Sequence, residues 1–183
     1  MNANMETERK YLIEKPDENA LAALEDCTYS DIVQTYLLSE EGETNRVRMR
    51  SYPNGICEYT NTRKRRVSKM TAIENEIQIS KDEYLSLLSK ADPERTPVKK
   101  RRYVLARGGY LFEIDLYPFW HGQAVMEVEL PSESASFTLP SEIKILREVT
   151  GDRAYSNASL AKCPPDEDAP QKRDSLNRSA YMS

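Results

Sequence analysis

A chain of 183 residues and 21.0 kDa suits one domain around a single core and leaves no room for a second full one. Its net charge of -4 and pI near 5.3 argue against a global electrostatic footprint for nucleic acid or an anionic membrane, and no apolar run approaches the about 20 residues of a membrane span. A single histidine, His121, and three scattered cysteines, Cys27, Cys57 and Cys163, exclude Ser-His, Cys-His, multi-histidine and thiolate-metal chemistry, so catalysis must fall to carboxylates, amines, hydroxyls and bound metal.

The first strand-like run covers about 5–13, and Lys15-Pro16-Asp17-Glu18 then opens a short helix, with acids at its positive end and Leu21 and Leu24 on its apolar face. Further strand-like runs follow at about 33–39, 45–52, 56–64 and 73–79, the middle pair joined by the turn Tyr52-Pro53-Asn54-Gly55. Ser80-Lys81-Asp82-Glu83 has capping-box form and predicts a helix over about 81–90, after which Pro93 and Pro97 break the chain. The last strand-like runs are 98–106, 110–117 and 124–130, the first two joined at Arg107-Gly108-Gly109. A third helix is expected after Pro140-Ser141-Glu142, carrying Ile143, Leu146 and Val149 and stopping at Thr150-Gly151-Asp152, and a final turn or helix over 155–161. Residues 1–162 form the expected domain. Residues 163–183, polar and proline-containing, read as a disordered tail. With no signal-peptide core after Met1, a soluble cytoplasmic protein is expected, as a monomer or homodimer.

The informative feature is charge on every second residue. Glu6, Glu8 and Lys10 stand at i, i+2 and i+4, as do Arg46, Arg48 and Arg50, and Thr60, Thr62 and Lys64; the pairs Glu74/Glu76, Lys100/Arg102, Glu113/Asp115 and Glu127/Glu129 repeat the spacing. Residues two apart on a strand point to one face, and the intervening positions are often apolar, as with Val47, Met49, Ile114 and Val128. In an open sheet these charges simply face water. Seven strands with acids and bases sorted by strand ask for more, because two carboxylates at ~5 Å repel by roughly 3 kcal/mol at an effective dielectric of 20 and need cations nearby.

Closing the strands into a barrel turns the charged face into a lumen with room for a small ligand. The predicted architecture is therefore α+β: an eight-stranded antiparallel β-barrel, a tunnel, with a charged lumen and flanking short helices. Carboxylates without histidine or cysteine suit Mg²⁺ or Mn²⁺, and rows of arginine and lysine suit phosphate. A lumen with both signs selects a small, anionic, metal-chelating ligand such as a linear triphosphate. The basic runs 63–66 and 99–102 must split between two strand faces, which argues against specific nucleic-acid binding, and the aromatics, among them Tyr36, Tyr59 and Trp120, read as packing residues.

Glu6-Thr7-Glu8-Arg9-Lys10 resembles the N-terminal E-x-E-x-K signature of the CYTH superfamily, the triphosphate tunnel metalloenzymes. In chain order, Arg46-Val47-Arg48, Thr62-Arg63-Lys64, Glu74-Asn75-Glu76, Lys100-Arg101-Arg102, Glu113-Ile114-Asp115 and Glu127-Val128-Glu129 are similar to its successive strand motifs, and the segment 155–161 to the C-terminal segment of its small bacterial members. The resemblance implies a metal-dependent hydrolase of triphosphates, with inorganic tripolyphosphate preferred. A class IV adenylate cyclase or a nucleoside or thiamine triphosphatase is the alternative within the family, and a polyphosphate-binding module the alternative outside catalysis. It also implies site residues: Glu6, Glu8 and Lys10 for catalysis; Lys10, Arg46, Arg48, Lys64, Lys100 and Arg102 for phosphate; and Glu6, Glu8, Glu74, Glu76, Asp115, Glu127 and Glu129 for Mg²⁺ or Mn²⁺. Many members place glycine after the T-x-K lysine where this chain has Arg65-Arg66, which leaves Arg63 and Arg66 open beside Lys64 for that role.

Overall fold

Alternation of ionic and apolar residues produces strands, and a computed structural model that describes residues 4–167 shows how they assemble. In chain order come β1 (Asn4–Glu14), α1 (Glu18–Ala22), β2 (Cys27–Leu37), β3 (Glu43–Ser51), β4 (Cys57–Arg66), β5 (Thr71–Gln78), α2 (Lys81–Leu87), β6 (Val98–Arg107), β7 (Tyr110–Leu116), β8 (Gln123–Glu129), β9 (Ile145–Glu148) and α3 (Asn157–Leu160). The strand order β5-β4-β3-β2-β6-β7-β8-β1 returns to β5 through pairs such as Glu6 with Ala72, so eight antiparallel strands close into a barrel. Closure removes the free edges that an open sheet would present.

The apolar positions between the lumenal charges face outward and are buried there. Tyr11, Ile13, Tyr103, Leu105, Phe112, Ile114, Met126 and Val128 form the main core between the barrel wall and a cover made by Leu21 of α1 and by Leu130, Phe137, Leu139 and Ile143 of the connection after β8. On the opposite wall Val47 packs under Tyr84 of α2, beside Met49 and Tyr59. A third cluster fills one end of the barrel: Leu12, Tyr36, Val98, Tyr117 and Val125 from the strands meet Trp120, Val149, Tyr155 and Leu160. The final turns of the chain thus close that end.

Two elements differ from expectation. The predicted third helix is instead the strand β9, which pairs antiparallel with β1 through Tyr11–Glu148, Leu12–Arg147 and Ile13–Ile145. The i, i+3, i+6 spacing of Ile143, Leu146 and Val149 suggests a helix, but β5 covers β1 only from Asn4 to Thr7, and the rest of that edge needs backbone partners. Ile143 and Val149 are buried while Leu146 is 40% exposed, so no three-residue stripe packs. The second strand starts at Cys27, six residues before the expected run. Its first half, Cys27-Thr28-Tyr29-Ser30-Asp31, reads as polar because only Cys27 and Tyr29 are apolar; both pack against the outer core, Tyr29 tilted against Tyr103. Both other helices form as expected, α2 with a complete Ser80–Glu83 capping box. The tail expected from Cys163 lies outside the described residues beyond 167; within them, the Pro165 carbonyl accepts from Trp120 Nε1 at 2.9 Å and Glu167 accepts from the Gly122 amide at 2.6 Å.

Candidate active site in the barrel lumen

The barrel encloses a cavity of about 590 Å³. Glu6, Glu8, Lys10, Arg46, Arg48, Lys64, Glu74, Glu76, Arg102, Glu127 and Glu129 all border it, so the face that period-two spacing assigns to the lumen is the face found there. The register sorts charge by wall. On β1 and β8, Glu8 stands opposite Glu129 and Lys10 opposite Glu127; Glu113 of β7 stands opposite Glu127. Across the lumen, β3 presents Arg46, Arg48 and Arg50, and β4 presents Lys64 and Arg66. Arg63 and Arg65 face outward, and so do Lys99 and Arg101, the latter paired with Asp31 at 2.8 Å. Of Arg63, Lys64 and Arg66, the last two border the cavity; Lys64 Nζ contacts Glu6 and lies 3.4 Å from Glu74 and 3.9 Å from Glu8.

Lys100 and Asp115 do not border the cavity, unlike the other residues that the spacing assigns to it. They share the inward face and are fully buried, with side chains 1% and 0% exposed. Asp115 takes Lys100 Nζ at 2.5 Å, and Arg102 Nε at 2.6 Å and Nη2 at 2.7 Å. Neither residue is among those that border the cavity, and Lys100 is the buried partner of Asp115. Arg102 borders the cavity and contacts three acids, the sealed Asp115 and the cavity-lining Glu113 and Glu127. Glu113 is the acid that sequence reasoning left out of the site; its i, i+2 relation to Asp115 marks the right face and cannot say which of the two reaches the lumen. Arg50 and Arg66 carry the same spacing signal. Tyr36, Arg153 and Asn157 also border the cavity, and no charge alternation points to them.

The carboxylates divide into two electrostatic groups. Despite burial, Glu127 is held well below the ordinary range by Lys10, whose Nζ sits 2.7 Å away, and by Arg102. Asp115 is likewise held down against burial by Arg102 and Lys100, whereas Lys100 is pulled to about 8 by burial and by Arg102. Glu6 is kept low, against burial, by Lys64. By contrast Glu8 is raised by burial and by Glu127, and Glu129 is raised to about 7 by burial and by its hydrogen bond to Glu6. Glu74 is raised by burial as well, only partly offset by Arg46.

Neighbouring acids with raised pKa values signal negative charge that the protein's own cations leave uncompensated. Glu6, Glu8 and Glu129 offer only oxygen donors, which fits a hard divalent cation such as Mg²⁺ or Mn²⁺. Among the described residues no three acids converge closely enough as they stand to hold an ion. The cationic wall has the complementary surplus. Nε–H groups of Arg46, Arg48 and Arg50 are buried without an acceptor among the described residues. Burial and the neighbouring Arg46 and Arg102 draw Arg48 down to about 10. Buried donors of this kind cost stability unless a ligand supplies acceptors.

No family model matches the chain. An inorganic triphosphatase of Acetivibrio thermocellus is 39% identical over 72 residues, which is 39% of this chain and 45% of that protein, so the match spans less than half of the curated relative's length. Among solved structures, that of the inorganic triphosphatase NE1496 is 30% identical, covers 88% of this chain and 97% of its own, and superposes with a TM-score of 0.54. The PH1819 protein of Pyrococcus horikoshii OT3, 21% identical over 69% of this chain and 80% of its own with a TM-score of 0.52, shares the fold.

Proposed function

Because this chain belongs to the CYTH superfamily, the triphosphate tunnel metalloenzymes, we propose that it is a metal-dependent triphosphatase whose preferred substrate is inorganic tripolyphosphate. The observation that carries the reading is the pair of buried, acceptor-free Nε–H groups of Arg46 and Arg48, held in an enclosed lumen opposite a wall of acids. Such donors match phosphate oxygens, and guanidinium groups bind them with directed hydrogen bonds.

Glu6, Glu8 and Glu129 are the residues that would hold Mg²⁺ or Mn²⁺, and the ion supplies neutralisation of phosphate charge and a more acidic water. Arg46, Arg48, Lys64 and Arg102 bind the non-bridging oxygens and compensate charge as it shifts toward the leaving group. Glu8, on the acidic wall of the cavity, takes the proton of the attacking water. The new bond joins that water's oxygen to the terminal phosphorus, the bridging P–O bond breaks in line with it, and pyrophosphate and phosphate result. Lys10, fixed by Glu127, orients the terminal phosphate. Asp115 is a positioning residue that sets Arg102 at its angle into the lumen. The three free cysteines suit a reducing, cytoplasmic setting.

Phosphate release from tripolyphosphate, pyrophosphate, ATP and thiamine triphosphate, each with Mg²⁺, Mn²⁺ or chelator, tests the proposal. Turnover of tripolyphosphate with metal and none with chelator is the expected result. Intact tripolyphosphate alongside conversion of ATP to cyclic AMP would replace it with the cyclase reading.

A further inference from the structure

β1 carries Glu6, Glu8 and Lys10 of the candidate site, yet its ladder on the side away from β8 is interrupted where two of them sit. β5 pairs with β1 from Asn4 to Thr7 and β9 from Tyr11 to Ile13, so among the described residues Glu8 to Lys10 have no strand partner on that side. The Glu8 amide donates to the Met70 carbonyl at 3.0 Å, in the connection between β4 and β5. Lys10 is buried and is satisfied differently: its carbonyl accepts from the Val149 amide at 2.8 Å, and its amide donates to Thr150 Oγ1 at 3.0 Å. Both main-chain groups of Lys10 thus end on two consecutive residues, one of which offers a side chain where a strand would offer a carbonyl.

The hydroxyl is aimed for this. Glu148 is kept below the ordinary carboxylate range by its hydrogen bonds from Arg9, whose Nε and Nη2 reach its two oxygens at 2.9 and 2.5 Å. An ionised carboxylate only accepts, so Thr150 Oγ1 gives its one hydrogen to Glu148 Oε1 at 2.6 Å and keeps a lone pair for the Lys10 amide. The next residue fixes the turn: Gly151 has φ 76°, and a side chain there would meet Lys69 Cβ at 3.1 Å. Glu8, Lys10 and Thr150 border one small gap in the barrel wall, and Thr150 does not border the lumen cavity itself.

We propose that Thr150 is a positioning residue whose hydroxyl fixes the main chain of Lys10, so that the Lys10 ammonium, 2.7 Å from Glu127, keeps its direction toward the terminal phosphate. This role rests on the triphosphatase reading. It reaches the reaction through Lys10, without contact to substrate.

Two variants separate the hydroxyl from the shape of the side chain: Thr150→Val keeps the shape and Thr150→Ser keeps the hydroxyl. Steady-state hydrolysis of tripolyphosphate with Mg²⁺ or Mn²⁺, and amide hydrogen exchange of the metal-free protein followed by NMR, are measured for both and for the unaltered chain. Thr150→Val should lower kcat at least about tenfold with KM within about twofold, because misplacing a group that orients the reacting phosphate costs rate without uniform loss of binding. Its Lys10 amide should exchange about fivefold faster, the scale of one neutral hydrogen bond. Thr150→Ser should keep kcat within about twofold and the Lys10 amide protected. Unchanged kcat in Thr150→Val, an equal loss in Thr150→Ser, or unchanged exchange at Lys10 overturns the role and leaves the triphosphatase reading intact. Should Thr150→Val not fold, Thr150→Ala is judged by the same criteria. If the unaltered chain leaves tripolyphosphate intact with either metal, that reading falls and the positioning role with it.

Discussion

Replacing Asp115 by asparagine removes the only negative charge in contact with Lys100 among the described residues, and one of the three carboxylates around Arg102. The side chains of the three residues are 0%, 1% and 6% exposed, so water cannot compensate. Breaking a buried ion pair on one side costs about 3–5 kcal/mol, because the remaining charge keeps its desolvation penalty and loses its partner. Arg102 retains Glu113 and Glu127, whereas Lys100 retains nothing within contact and sheds its proton in the variant. Deprotonation limits the loss, which places the expected cost near 3 kcal/mol, at the lower end of that range. For a chain of this size that is a fall of roughly 6–12 °C in Tm. Urea unfolding followed by circular dichroism measures it directly. The double variant Asp115→Leu with Lys100→Met replaces the pair by apolar volume and should recover most of the stability. A single-variant loss below about 1 kcal/mol would refute the account of these two residues as a buried structural pair.

Other outcomes follow from the same geometry. In metal-free protein Glu129 holds its proton up to about 7 against an ordinary 4.5, so the folded state binds that proton more tightly; this contribution is complete below 4.5 and lost as pH rises through 7. Tm without metal should therefore fall between pH 5 and 8, and Glu129→Gln should flatten that slope; an unchanged slope would contradict the assignment. Lys64→Ala should cut tripolyphosphate turnover by about 100-fold, the scale of one preorganised charge on a transferring phosphoryl group, while Arg63→Ala on the outer face of β4 leaves it within about twofold, as surface substitutions do. Steady-state rates of the two variants test the facing of alternate residues. Ser80→Ala breaks the capping box of α2 and should cost about 1 kcal/mol in urea unfolding with turnover unaffected.

How much of this could be read in advance depends on the signal each part carries. The lumen was legible because its code is the strand period itself: Arg46/Arg48 and Glu127/Glu129 repeat with a step of two, and closure of the barrel fixes which side that step faces. The same code is blind to depth. Glu113 and Asp115 share a face and differ only in level along the tunnel, so spacing treats them alike although one borders the cavity and the other is sealed behind Arg102. Spacing also misled at Ile143, Leu146 and Val149, where the demand came from the unpaired edge of β1 and local propensity was overridden. Arg153 and Asn157 reach the cavity from turns after the barrel, through a hydrogen bond from the Tyr117 hydroxyl to Asn157 at 2.7 Å, a tertiary contact without any periodic trace in the chain.

If the side chains that converge on the lumen bind triphosphate and cleave it with a divalent ion, a lumenal carboxylate is needed for turnover and not for binding. The most direct measurement compares phosphate release from tripolyphosphate, with Mg²⁺ or Mn²⁺ present, by the unaltered chain and by Glu8→Gln, with tripolyphosphate binding recorded for both. Glu8→Gln should still bind the ligand but release phosphate at least about 100-fold more slowly, the scale of losing a positioned general base. Equal rates from the two proteins would contradict it.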